Sequence, residues 1–195
     1  MATLMNAILS QFDSETLDQL SNQLGTNQQT TGNAIAAAVP LLLSALSRNA
    51  SNDNGRESLY TALSNDHNGG ILNDLTGFLG GADNGPGQGI VGHVLGDSQT
   101  GTVNALSSAT GMDASSMGRL LVTLAPIVMG FLGRTRQQQA MGPSGLAGLL
   151  DGETEHAQQA APGLMGAVNR FFDQNGNGSA VDELAGIMGS MLSRR

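Results

Sequence analysis

The stretch Ala34–Ile35–Ala36–Ala37–Ala38–Val39–Pro40–Leu41–Leu42–Leu43–Ser44–Ala45–Leu46 is apolar on nearly every face of a helix and shows no period-two alternation. Such a run reads as a helix buried on most sides. Pro40 removes one hydrogen bond and bends the chain, which predicts either one kinked core helix or two helices meeting there. The run is shorter than the about 20 residues a helix needs to cross a bilayer, so a membrane-inserting hairpin is disfavoured.

Working backwards, Leu17, Leu20 and Leu24 form a short helical run that Gly25 stops. Asn27 then caps the apolar helix, with Thr26 and Gln29 as an alternative capping box. The same order recurs downstream. An offset of 86 places Thr16, Leu20, Ser21 and Gly25 on Thr102, Leu106, Ser107 and Gly111. It places Gly32, Pro40, Leu46 and Arg48 on Gly118, Pro126, Leu132 and Arg134, and puts Asp113 where Asn27 caps. Eight identities in 33 positions stand against about two from chance at ordinary residue frequencies. After Leu63 and Leu149 the second stretch gains seven residues around Glu153 to Gln159, and an offset of 93 restores the match. The expected fold is all-α: two diverged repeats of a small multi-helix unit packed together, residues 1–97 and 98–195, each with a Pro-containing apolar core helix.

Outside the two cores, short amphipathic helices are predicted at 4–12, 57–64, 70–79, 87–95, 145–150, 160–172 and 180–192, joined by Gly/Asn/Asp turns. Residues 49–55 and 137–144 read as polar, mobile loops.

Composition removes several chemistries. The chain has no Cys and no Lys, so disulfides, thiolate nucleophiles, Schiff-base lysines and P-loop lysines are excluded. A net charge of −8 repels phosphate backbones and anionic lipid, so no nucleic-acid partner is expected and a membrane is disfavoured. The first residues lack a basic, cleavable leader, and the expected location is cytoplasmic.

Leu20–Ser21 through Gly25, then Ala36 to Leu41, and their echo at Leu106–Ser107, Gly111 and Leu124 to Gly133, resemble a bacterial domain-of-unknown-function family, number 937, which includes the YidB-like proteins. The segment Asp173–Gln174–Asn175–Gly176–Asn177–Gly178–Ser179, followed by Asp182, is similar to the family's C-terminal segment. The resemblance implies an all-helical fold and brings no activity with it.

That C-terminal loop is also the best chemical candidate. Asp173, Asn175 and Asn177 alternate ahead of a glycine turn, with Ser179, Asp182 and Glu183 beyond, much as oxygen ligands gather on Ca2+ in a shortened EF-hand. Position twelve of such a loop is Leu184 rather than a bidentate Glu, so Asp182 or Glu183 would substitute, and the competing reading is a plain Asx/Gly turn. His67, His93 and His156 lack metal-binding spacing and read as surface or half-buried residues. Glu153 and Glu155 read as a solvated loop rather than an acid/base couple. The glycines around Pro86 do not open a helix after a strand, so they are no phosphate cradle. Met112, Met117, Met129, Met165, Met188 and Met191 read as core filler ahead of a partner groove. With no catalytic constellation, the functional expectation is a non-enzymatic helical interaction or scaffold protein, self-associating or holding a protein partner. The alternative is a weak calcium-binding module.

Overall fold

The computed structural model describes residues 3–81 and 85–160. Among them every regular element is helical, with no strand. In chain order these are α1 (Leu4–Leu9), α2 (Ser14–Leu24), α3 (Gln28–Asn49), α4 (Asp53–Asn65), a 3-10 turn (Gly70–Asn73), α5 (Leu75–Gly80) and α6 (Gly85–Leu95). A second 3-10 turn (Gly96–Ser98), α7 (Gln99–Thr110), α8 (Ala114–Gln138) and α9 (Pro143–Ala160) follow.

Short polar side chains start these helices. Asp13, Asn27, Asn52, Asp74 and Asp113 each accept a hydrogen bond from the backbone N–H three residues on, satisfying a donor the helix itself leaves unpaired. Gly25 and Gly111 end α2 and α7 in the left-handed region, at φ of 70° and 75°, where a Cβ would cost strain.

Helices α3 and α8 form the centre. Both pass through their prolines as single helices. Their lengths of 22 and 25 residues would suffice to cross a membrane, yet 72% and 83% of their apolar windows are already covered by the rest of the molecule. They are core helices of this fold. One continuous apolar cluster takes in residues from α1 to α9.

Each proline frees the carbonyl four residues earlier from its helical donor. For Pro40 that carbonyl belongs to Ala36, an exposed residue. For Pro126 it belongs to Val122, and there Gly87 of α6 comes so close that a Cβ would collide with the carbonyl oxygen. Gly130 and Gly133 admit a second close approach. The segment from His67 to Ile71 crosses α8 over these two glycines, with the His67 carbonyl filling the place of a side chain at 133. Arg134 fastens the crossing, donating to the Gly69 carbonyl at 2.9 Å and to Asn73 Oδ1 at 2.7 Å.

Several sequence expectations are corrected. The loop expected at 49–55 is short, because Asn49 closes α3 and Asn52 already caps α4. The segment 70–79 divides into a 3-10 turn and α5, since Asp74 caps the second piece by accepting from the Gly77 N–H. The inserted stretch from Glu153 to Gln159 is no solvated loop but the continuation of α9, well past the expected end at 150. Glu153 is only 6% exposed. Its Oε1 accepts from the Leu4 N–H at 2.8 Å and its Oε2 from the Met5 N–H at 3.0 Å, so it caps α1 from the far end of the chain. The buried carboxyl group is tolerated there because two backbone donors replace the water it loses.

Candidate functional site

The residues singled out for calcium, Asp173, Asn175, Asn177, Ser179, Asp182 and Glu183, lie outside the described residues, as do the helices expected at 180–192 and over nearly all of 160–172. Among the described residues no group of three His, Asp or Glu side chains is placed to hold a metal ion.

What the described residues do contain is a cleft of about 410 Å3 between α4 and α6. Leu46 and Met129, from α3 and α8, contribute its buried base. Leu59 and Ala62 of α4 face Ile90 and Val94 of α6 across it. The two walls run in opposite directions. Asn49 at the start of the α4 side donates from Nδ2 to the Val94 carbonyl at the end of α6, at 2.9 Å. At the other end Asp66 and His67, just past α4, lie with Pro86 at the start of α6.

Two glycines make the opening. Gly55 packs against the Asn49 carbonyl, closing one corner with backbone. Gly89 has nothing within 4 Å of where its Cβ would stand, so the absent side chain is itself part of the cavity. With Gly87 pressed on α8 and Gly89 left open, α6 is held close at one point and leaves room at the next.

The polar groups are few. Asp66 and His93 are exposed and His67 is half-buried. Burial pushes the His67 pKa below its ordinary value, and the neighbouring Asp66 charge offsets this only in part. His67 is therefore neutral at pH 7 and offers a ring lone pair. Among the described residues neither imidazole pairs with a carboxylate.

Sequence reasoning named His67 and His93 but placed neither in a shared site. They stand 26 positions apart on different elements, and only the packing of α4 and α6 side by side against α3 and α8 brings both to one cleft. His156 and Glu155 are exposed on α9 and take no part. Met112 and Met117 are core residues, as expected, whereas Met129 also reaches the cleft. Gly89 was missed outright. The signal available was the glycine spacing in Gly85–Pro86–Gly87–Gln88–Gly89, unusual inside a helix that costs about 1 kcal/mol per glycine.

A family model described as "Bacterial protein of unknown function (DUF937)" matches residues 6–135. That span contains the whole cleft and stops short of the loop beginning at Asp173. No curated protein and no solved structure matches the chain.

Proposed function

Because the chain belongs to the DUF937 family of bacterial proteins of unknown function, its role has to be argued from its own geometry, and we propose that it is a non-enzymatic binding protein whose α4/α6 cleft holds a small ligand with an apolar body. The observation that carries this is the cleft itself: about 410 Å3 of space with apolar walls and a few polar groups at its ends. Sites for small molecules span about 300–1,000 Å3 with that same division of surface. A partner helix would need a longer groove. Catalysis is less well supported, since an imidazole acting as general base needs an orienting partner, and among the described residues neither His67 nor His93 is paired with a carboxylate. Self-association through leftover core faces is also less favoured, because α3 and α8 bury most of their apolar surface within one chain.

Titration with octan-1-ol, followed by amide chemical shifts, tests the proposal. Perturbations should centre on Leu59, Ala62, Ile90 and Val94. They should vanish in Gly89→Leu, which fills open space on a helix and should not lower the melting temperature. Absence of any localised perturbation in the unsubstituted chain would overturn the reading.

A further inference from the structure

Resting on that reading of the cleft, we infer that its ligand carries a protonated amine, bound at the Asp66 end, with the apolar body running along Ile90 towards Val94. Among the described residues Asp66 is the one formal charge lining the cleft, and no arginine lines it. Asp66 is also badly placed for its own helix. It is the C-cap of α4, where the helix already presents roughly half a negative charge, so a carboxylate there is repelled rather than stabilised. Among the described residues its side chain has neither an ion-pair partner nor a hydrogen-bond donor. The start of α6 nearby supplies at most about half a positive charge, less than the full charge of the carboxylate. A cation in the cleft relieves this repulsion, whereas an anion would add to it.

The remaining polar groups favour a donor in the same way. His67, held neutral by burial, can accept through its ring nitrogen and brings no competing cation. At the opposite, Val94 end Asn49 has committed both amide hydrogens, to the Ala45 and Val94 carbonyls, so it has no donor left for an anion there either. The net charge of −8 raises the local concentration of cations around the molecule.

Three probes with one apolar body separate the possibilities: octylammonium, octan-1-ol and octanoate, titrated calorimetrically into the full chain at pH 7. Octylammonium should bind about tenfold tighter than the alcohol, as expected for a charge-assisted hydrogen bond, and octanoate weakest. Asp66→Asn should bring octylammonium down to the alcohol's affinity and leave the alcohol unchanged. Equal binding of all three, or a preference for octanoate, would overturn the amine assignment and leave the cleft reading standing. Binding by none would overturn both. General attraction of an amphiphilic cation to an acidic surface is recognised by its survival in Gly89→Leu. That result would also sink the assignment.

Discussion

Helices α3 and α8 are alike in length, in carrying a central proline and in lying along the middle of the core, but they meet their surroundings through different chemistry. At positions offset by 86, α3 has Ser44 and Ser47 where α8 has Gly130 and Gly133. On the α3 side Ser47 Oγ donates to Asp151 Oδ1 of α9 at 2.6 Å, where α3 packs extensively on α9. The α8 positions face the crossing from His67 to Ile71, with the Ile71 side chain over Gly130 and the His67 carbonyl over Gly133, which leaves no room for a Cβ. The prolines differ likewise, one freeing a carbonyl at exposed Ala36 and the other freeing the Val122 carbonyl beneath Gly87. The lesson is that one apolar pattern can serve two packing schemes, and the small residues within it decide which.

The entries to the two helices show a second contrast. Ser21 Oγ bonds Thr31 Oγ1 at 2.9 Å, joining α2 to α3 by a buried polar pair. The offset positions hold Ser107 and Met117, and Ser107 Oγ is buried without a partner among the described residues. The first junction is polar and satisfied; the second is apolar and leaves a hydroxyl stranded.

These contrasts can be broken by substitution. The largest effect is expected at the backbone crossing: Gly133→Ala should cost about 2–3 kcal/mol through overpacking against the His67 carbonyl. Ser47→Ala should cost about 0.5 kcal/mol, since its bond is exposed and Ala is the better helix former. Urea unfolding of both variants decides it, and similar costs would mean that the crossing yields easily. At the junctions, Ser21→Ala should lose about 1 kcal/mol, while Ser107→Ala should be neutral or gain up to about 1 kcal/mol. A loss at Ser107 as large as that at Ser21 would show that the stranded hydroxyl has a partner after all.

The smallest effect concerns the caps. Backbone and side-chain hydrogen bonds from Ser116 hold the Asp113 carboxyl below its usual pKa. A pKa lowered on folding contributes stability that is present above the unfolded value, about 4, and is lost as pH falls through the folded one. Asn27, capping α3, carries no such dependence. Asp113→Asn should therefore lower stability slightly at neutral pH and make its decline below pH 4 shallower, leaving the similar share of Asp13 in place. An unchanged acid limb in chemical or thermal melts would remove Asp113 from that account.

Much of this was readable in the sequence because caps and glycine stops are local devices. Asn27, Asp113, Gly25 and Gly111 act on backbone within a few residues of themselves, so their chemistry is visible in a short window. The course of each long helix through its proline needed the surrounding burial, which local chemistry does not contain. Glu153 looked solvated because its partners, Leu4 and Met5, lie at the other end of the chain. The cleft was hidden for a related reason. Its shape depends on a side chain that Gly89 lacks, and its polar groups come from elements that only tertiary packing aligns.

The capping of α1 by Glu153 also has a consequence in time. The acceptor for the Leu4 N–H is made 149 residues after it. At ordinary rates of synthesis, about 5–20 residues per second, that delay is on the order of ten seconds. Throughout it the first helix is six residues long and lacks the carboxylate that completes its start, too short to persist alone. The N-terminal turn is thus among the last parts of the described fold to settle. Its amide hydrogens should report when α9 has arrived.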